Sequence, residues 1–186
     1  SCDPALGDVD GDGWDELIIP WNRGEEDLVT CVRGNGQVVW ETTAAAGYHA
    51  VYSDDQLYAG THWHHRSRHR HLLTRLLDLD GDGALEVVVG LGPIHLLEAA
   101  TGAVKRSIDL DGLAMVWSPA RLDPGGRVGI IAGVNHHRQY GSVMAVDSSG
   151  DLLWEERVPG MSFEDFLRCG DLTGDGVDEF CYSMAD

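Results

Sequence analysis

The sequence predicts an all-β fold, a partial β-propeller built of four-stranded antiparallel blades with calcium loops. Two observations support this prediction. An acidic loop of constant spacing recurs along the chain, and Gly-containing turns join β-prone runs between the copies of the loop. Repeats of about 40 to 50 residues are typical of propellers and related arrays. We therefore interpret residues 1–186 as a single repeat array.

Three acidic loops share one pattern, Asp-x-Asp-Gly-Asp-Gly-x-x-Glu, with Thr in place of the second Asp in the third copy. They occupy residues 8–16, 78–86 and 171–179, and each leads into a short aliphatic or aromatic run. Runs of this kind, bounded by turn residues, are typical of β-strands. Each acidic loop is therefore predicted to connect two strands.

A fourth, decayed copy of the loop lies at residues 121–129. Arg121 and Gly125 stand at positions that carry carboxylates in the other copies, and Gly129 replaces the final Glu. A guanidinium at the first position would repel a cation, so we predict that this loop is free of metal. The four copies start 70, 43 and 50 residues apart, and the long first interval predicts an insertion within residues 45–72.

Gly-containing turns divide the chain between the acidic loops, as expected of β-hairpins. The turns lie at Asn35-Gly36, Thr101-Gly102 and Ser149-Gly150. Each repeat thus consists of a strand, an acidic loop, a strand and a hairpin, which together make a four-stranded blade. Residues 162–168 are the one stretch that favours a helical turn. Trp40 and Trp154 are predicted to pack between blades.

The spacing within the acidic loops fits a hard cation. Glycines at positions 4 and 6 permit left-handed backbone conformations, so the side chains at positions 1, 3 and 5 can converge. Calcium takes about six to eight oxygen ligands, which these side chains, a backbone carbonyl at position 7 and the Glu at position 9 would supply. One calcium ion is predicted in each loop, three in all. The predicted ligands are Asp8, Asp10, Asp12, Trp14, Glu16, Asp78, Asp80, Asp82, Ala84, Glu86, Asp171, Thr173, Asp175, Val177 and Glu179.

Two other interpretations of the loops are an EF-hand and a solvated acidic turn. The EF-hand is excluded, because position 12 is Ile19, Val89 or Tyr182 rather than a bidentate Glu. The acidic turn would require the same spacing to arise three times by accident. Thr173 offers a neutral hydroxyl where the other loops offer Asp, so the third loop is predicted to bind calcium more weakly.

These segments resemble FG-GAP/VCBS repeats, the calcium-binding blades of integrin α-type propellers, and the resemblance covers almost the whole chain as an array. The succession DVDGDGWDELIIPW, LVTCVRGNGQVVWE and LLDLDGDGALEVVVG is also similar to the propeller of family 11-type rhamnogalacturonan lyases. The first resemblance implies an extracellular or cell-surface, calcium-stabilised propeller. The second implies a polysaccharide lyase module or an inactive relative of one.

The composition and the absence of common motifs disfavour several classes of function. With 31 acidic and 13 basic residues the chain has a formal net charge of −18, which disfavours nucleic acid and anionic membrane surfaces as partners. No apolar run approaches the roughly 20 residues of a membrane-spanning helix. The Gly-x-Ser-x-Gly, His-Glu-x-x-His and phosphate-loop motifs of common enzymes do not occur.

The predicted function is a secreted, calcium-stabilised propeller that serves as a binding or structural module for protein or glycan partners through its blade loops. Two alternatives stay open. One is a rhamnogalacturonan-type lyase module or inactive relative, in which His, Arg and calcium would serve β-elimination on a uronate. The other is a subunit of a cell-surface assembly or filament. No catalytic residue is assigned.

A segment rich in His and Arg lies within the predicted insertion, where it reverses the local sign of charge. Three interpretations stay open: an exposed loop that pairs with acidic blades, a contact for an anionic glycan, and a transition-metal or proton-transfer site. Two histidines of another blade are predicted to lie at a turn that could approach this segment. The candidate ligand-binding residues are His62, His64, His65, Arg66, Arg68, His69, Arg70, His71, His136 and His137.

The cysteines suggest one disulfide. Cys169 and Cys181 lie symmetrically about Asp175, so adjacent strands could bring the two thiols opposite one another. The alternative is that alternating strand faces bury both as thiols.

The number of repeats bears on the completeness of the array. Three full repeats and a fraction cannot close a ring, because propellers need at least about four blades. We therefore expect either that the chain is an excerpt of a longer propeller or that its open ends pack on other chains. A four-bladed ring closed by residues 1–6 is the third option.

Overall fold

The computed structural model describes residues 4–23, 26–43, 73–90, 93–136, 140–158 and 163–184. Within these ranges the chain forms fourteen β-strands and no helix, which confirms the all-β part of the prediction. The strands form four antiparallel sheets, three of four strands and one of two strands, which we name A to D in chain order.

The strands follow one another along the chain and are numbered in that order. Sheet A comprises β1 (Ala5–Gly7), β2 (Glu16–Arg23), β3 (Glu26–Val32) and β4 (Val38–Thr42). Sheet B comprises β5 (Leu73–Leu77), β6 (Glu86–Gly90), β7 (Ile94–Glu98) and β8 (Val104–Ile108). Sheet C comprises β9 (Leu113–Arg121), β10 (Val128–His136), β11 (Tyr140–Asp147) and β12 (Leu152–Val158). Sheet D comprises β13 (Phe163–Gly170) and β14 (Glu179–Met184).

Sheets A, B and C share one connectivity, in which each strand pairs with the next along the chain. An acidic loop, or its decayed copy in sheet C, joins the first strand to the second, and a Gly-containing turn joins the third to the fourth. The turn glycines Gly36, Gly102 and Gly150 have φ of 85°, 72° and 84°, a region that glycine adopts without strain. The predicted order of strand, acidic loop, strand and hairpin is therefore confirmed for three repeats.

The chain divides into two compact units, of which the first comprises residues 1–77 and 84–107. Sheets A and B pack against each other within this unit around one apolar cluster. The indole N–H of Trp40 in β4 donates to the carbonyl oxygen of Ala99, just after β7, at 2.9 Å. Trp40 thus packs between two sheets, as predicted. The buried members of the cluster are Val9, Ile18, Val29, Cys31, Trp40, Val87, Val89, Leu97 and Ala99.

The second unit comprises residues 78–83 and 108–186, and contains sheets C and D. Its apolar cluster is drawn from both sheets, and its buried members are Val116, Ala120, Ile131, Val143, Ala145 and Leu167. Trp154 of β12 stacks on Phe180 of β14 with ring centroids 5.8 Å apart, yet it remains 39% exposed. Trp154 therefore joins two sheets from the surface rather than from the core.

One expectation about helix content is wrong. The stretch at residues 162–168 was expected to form a helical turn, but Phe163–Gly170 is strand β13, which pairs with β14 at Phe163 and from Leu167 to Gly170. Strand pairing there overrides the weak local signal of the sequence. Residues 5–7 form β1 and pair with β2 of their own sheet, and closure of a ring stays untested.

Two stretches of interest lie outside the described residues. The predicted insertion and its His/Arg segment fall within residues 44–72, and the site of His137 falls within residues 137–139. In the part of the chain that the structure describes, no helix is long and apolar enough to cross a membrane.

Candidate metal centres in the acidic loops

The first aspartate of each acidic loop organises the loop backbone. Asp8 Oδ1 accepts the backbone N–H of Gly11 at 2.7 Å, and its Oδ2 accepts the N–H of Gly13 at 2.9 Å. Asp78 makes the same two hydrogen bonds in its loop, at 2.7 and 3.0 Å, and Asp171 makes them at 2.6 and 3.0 Å. The three loops therefore share one backbone conformation.

Glycine is required at two positions of this conformation. Gly11 and Gly13 have φ of 77° and 89°, in the left-handed region that side chains rarely adopt. The corresponding glycines of the other two loops have φ between 78° and 90°. This turn aims the amides inward at the first aspartate, so the left-handed conformation predicted at the glycines is confirmed.

Two of the three loops bring a set of carboxylates together. Asp8, Asp10 and Glu16 each offer an oxygen within 4.8 Å of the others, and the second loop does the same. The second set is Asp78, Asp80 and Glu86. Within the described ranges these are the two groups of at least three His, Cys, Asp or Glu residues that could hold a metal ion.

The final Glu of each of these two loops is a buried carboxylate. Glu16 is 1% exposed and Glu86 is fully buried, although each is the first residue of a strand that leaves an exposed loop. The backbone N–H of Val9 donates to Glu16 Oε2 at 3.2 Å. A buried carboxylate needs hydrogen bonds or a positive charge to offset its lost hydration. The two glutamates therefore make both loops suited to a cation.

Asp12 and Asp82, the aspartates at position 5 of the first two loops, do not belong to the two carboxylate groups, and their role as ligands stays a prediction. Asp12 Oδ1 accepts the backbone N–H of Trp14 at 2.9 Å, and Asp175 Oδ1 accepts that of Val177 at the same distance. The predicted carbonyl ligands at Trp14, Ala84 and Val177 stay predictions.

A basic side chain, missed in the sequence, lies beside each carboxylate group. Arg33 follows β3 and forms an ion pair through Nη2 with Asp10, while its Nε lies 3.8 Å from Glu16 Oε1. That Nε is buried and has no hydrogen-bond partner. The hydrogen bond to Asp10 raises the pKa of Arg33 above its usual value. Arg33 thus neutralises part of the negative charge of the group, but its Nε makes no hydrogen bond to it.

Lys105 of β8 is the basic neighbour of the second group. Its Nζ lies 2.6 Å from Glu86 Oε1. Lys105 is the single lysine of the chain, which is the one signal in the sequence that sets it apart. The spacing between Lys105 and Glu86 gives no hint of the contact, because the two residues lie on β8 and β6, with β7 between them in the sheet.

The third acidic loop does not bring three carboxylates together. Thr173 occupies the position of Asp10, and its hydroxyl donates to Glu179 Oε1 at 3.1 Å. Glu179 Oε2 accepts the backbone N–H of Leu172 at 2.8 Å. Val9 makes the equivalent hydrogen bond to Glu16 in the first loop, so the difference between the loops lies at Thr173, which supplies a hydroxyl in place of a carboxylate. Of the three predicted calcium ions, two have a carboxylate group in the structure.

The decayed loop is closed by an ion pair of its own. Arg127 donates through Nε to Asp123 Oδ2 at 2.9 Å, and its Nη2 lies 2.8 Å from the same oxygen. The hydrogen bonds from Arg127 hold the pKa of the Asp123 carboxyl below its usual value. A Cβ added at Gly129 would collide with the carbonyl oxygen of Val146, so the position of the missing Glu has no room for a side chain.

The predicted disulfide does not form. In the pairing of β13 with β14, Cys181 lies opposite Arg168 and Cys169 lies opposite Phe180. Because successive side chains of a strand point to opposite faces, the two cysteines fall on opposite faces of the hairpin. Both are free thiols, and burial raises the pKa of Cys169 to about 11. The two thiols lie on alternating faces, but the alternative in which both are buried does not hold, because Cys181 is exposed.

His136, a candidate ligand-binding residue, is held inside sheet C. It is 6% exposed; its Nδ1 lies 2.9 Å from the carbonyl oxygen of Asp111 and its Nε2 lies 2.6 Å from Ser142 Oγ. Its ring stacks on Tyr140 with centroids 4.5 Å apart. With both ring nitrogens engaged, His136 is a packing residue of this sheet, and its prediction as a ligand contact is not supported. The other candidates, at residues 62–71 and 137, lie outside the described residues.

Comparison with known proteins gives no assignment, because no family model and no curated protein matches the sequence. The assignment of a function therefore depends on the geometry of the acidic loops.

Proposed function

We propose that the loops at residues 8–16 and 78–86 each bind one calcium ion, and that the chain is a calcium-stabilised β-propeller-type module. The observation that supports this proposal is the convergence of three carboxylates in each loop, one of them a buried Glu. Three successive sheets of the same connectivity support the repeat array.

Calcium is the cation that this donor set favours. Both groups consist of carboxylate oxygens, without the imidazole or thiolate ligands that select zinc or copper. Magnesium demands a near-octahedral set of ligands and keeps several waters, whereas calcium tolerates irregular oxygen cages. The loop has further oxygens at positions 5 and 7 that could complete such a cage.

The proposed role of the ions is structural. In each loop the candidate ligands lie on the connection between two paired strands, β1 to β2 and β5 to β6. An ion there would join the start of the loop to the first residue of the following strand. Because it would bind the folded chain and not the unfolded one, each ion would add about 2.7 kcal/mol at 100 times its dissociation constant.

The partners proposed for this module are proteins or glycans at the outside of the cell. The exposed tips of the loops support this assignment, in particular Trp14, which is 77% exposed beside the first carboxylate group. An exposed aromatic ring offers a flat apolar face for contact with a partner. Within the described ranges no feature favours the lyase or filament alternatives, so neither is proposed.

Titration of the full chain with calcium tests the ion sites. We expect two ions per chain in isothermal titration calorimetry after the protein has been stripped with chelator. Asp10→Ala and Asp80→Ala should each remove one ion. Asp123→Ala, the equivalent substitution in the decayed loop, is the matched control and should remove none. Absence of binding heat, together with an unchanged melting temperature on addition of calcium, would contradict the proposal.

A further inference from the structure

We infer that Arg121 is the resident cation of the third acidic loop, residues 171–179, and that its guanidinium takes the place of a calcium ion there. The folded chain then takes two calcium ions rather than three. The ion count rests on the proposed function, whereas the pairing of Arg121 with this loop does not.

Arg121 is fixed to the loop by four hydrogen bonds shared with one residue. Its backbone N–H donates to Asp178 Oδ2 at 2.8 Å, and its Nη2 and Nε donate to Oδ1 at 2.9 and 3.2 Å. In return, the backbone N–H of Asp178 donates to the carbonyl oxygen of Arg121 at 2.9 Å. Two guanidinium nitrogens converge on one oxygen of Asp178, a fork that orients the guanidinium as well as binding it.

The orientation brings positive charge to the first ligand position of the loop. Nη2 of Arg121 lies 3.7 Å from Asp171 Oδ2, on the aspartate that organises the loop backbone. The guanidinium thus contacts two carboxylates, one of which is a candidate calcium ligand.

The contact of Arg33 with the first loop differs from that of Arg121 with the third loop in its hydrogen bonds. Arg33 leaves its buried Nε without a hydrogen-bond partner, whereas both donor nitrogens named for Arg121 are satisfied by Asp178. Arg33 contacts two candidate ligands, Asp10 and Glu16, whereas Arg121 contacts one, Asp171, and is anchored on Asp178. Three carboxylates still converge beside Arg33, whereas Thr173 leaves the third loop with fewer, so that one guanidinium balances a larger share of its charge.

The sequence supplies a reason why a guanidinium could replace calcium in the third loop. Thr173 removes one negative charge from the third loop, so a single positive charge neutralises more of what remains. Arg121 is available to its neighbour because Arg127 already pairs with Asp123 in the decayed loop. A repeat that has lost its own ion site thus supplies the cation for the next repeat.

Melting temperatures in chelator and in calcium test the inference on the full chain. In chelator, Arg121→Gln and Asp178→Asn should lower the melting temperature by similar amounts, and the double variant by no more than the larger of these. Independent, additive losses, or no loss, would overturn the pairing. Arg127→Gln is the control from the same loop, and its loss should add to that of Asp178→Asn.

The response to calcium separates a resident cation from an ordinary ion pair. Loss of the guanidinium makes the loop more negative, so calcium should raise the melting temperature of Arg121→Gln further than that of the wild type. An equal rise would overturn the inference. If Arg121→Gln does not fold, Arg121→Lys, which keeps the charge but not the fork, should show the wild-type calcium response together with a lower melting temperature in chelator. A larger calcium response in Arg121→Lys would contradict the inference.

Calcium stoichiometry of the wild type, measured by equilibrium dialysis and elemental analysis, completes the test. Two ions support the inference and three overturn it. No bound ion would overturn the proposed function and the ion count together, and the chelator experiment would then decide the pairing alone.

Discussion

The loops at residues 8–16 and 121–129 occupy the same place in two sheets of the same connectivity, yet they balance their charge in opposite ways. The first brings three carboxylates together, including the buried Glu16, and Arg33 lies beside them. The second has one aspartate that pairs with Arg127 and no room for a side chain at Gly129. The comparison shows that the same connection between two strands can either gather carboxylates that could hold a cation or be closed by its own basic side chain.

The largest loss of stability is expected at the carboxylate that is most deeply buried, Glu86. Lys105→Met removes the ammonium 2.6 Å from Glu86, which is fully buried. Removing one partner of a buried ion pair costs about 3–5 kcal/mol. Because the Lys105 side chain is 31% exposed, the chelated variant should lose stability at the lower end of that range in urea denaturation. Calcium should restore most of the loss. Arg106→Met, one residue along the same strand, is the control, and an equal loss there would refute a special role for Lys105.

A second prediction concerns the lack of space in the decayed loop. Gly129→Ala should destabilise the fold by about 1–3 kcal/mol, because its methyl group would meet the carbonyl oxygen of Val146. Gly34→Ala is the matched control, since a Cβ at that position has no neighbour within 4 Å. Chemical denaturation with and without calcium would measure both. Tolerance of Ala at Gly129 would mean that space does not prevent an ion site in this loop.

A smaller effect is expected from the arginine beside the first group. Arg33→Gln removes a positive charge near Asp10 and Glu16, and should therefore tighten calcium binding at this loop. Because Arg33 reaches solvent, which screens its charge, the gain should be at most about tenfold. Arg23→Gln, whose arginine pairs with Glu41 in the same sheet, should leave the affinity unchanged. Weaker binding in Arg33→Gln would show that the arginine supports the ion rather than opposing it.

The smallest effect is the response of the arginine-closed loops to acid. The pKa values of Asp123 and Asp178 lie below the usual value of about 4, so their ionised forms are favoured by folding. Their stabilisation is complete above that value and is lost as the pH falls through the lower pKa of the folded state. Melting curves in chelator from pH 6 to pH 2.5 (~0.5 unit steps) would follow this loss. Asp123→Asn should flatten the profile, whereas Asp151→Asn should not; an equal effect of the two would contradict the assignment.

The sequence was sufficient to predict the features that are local. Glycines at fixed spacing dictate the loop backbone around Asp8, and the alternation of turns and β-prone runs dictates three four-stranded sheets. It predicted less about contacts between distant segments. Arg33, Lys105 and Arg121 reach the loops through strand pairing, which no local pattern records.

Two predictions were wrong for related reasons. The pairing of Cys169 with Cys181 assumed symmetry about the loop, but a register offset of one residue puts the two thiols on opposite faces. The helical turn at residues 162–168 relied on local periodicity, which pairing with β14 overrides. Register and pairing are properties of two strands together, and they could not be obtained from either strand alone.

Hydrogen exchange measured by mass spectrometry, on the full chain in chelator and in saturating calcium, tests most directly the division of the loops into two classes. Calcium should slow exchange at residues 8–16 and 78–86 and leave residues 121–129 and 171–179 unchanged. Ion binding protects the amides of the loop that it orders, because it suppresses local opening. Protection of residues 171–179 equal to that of residues 8–16, or no protection of residues 8–16 at all, would contradict the account.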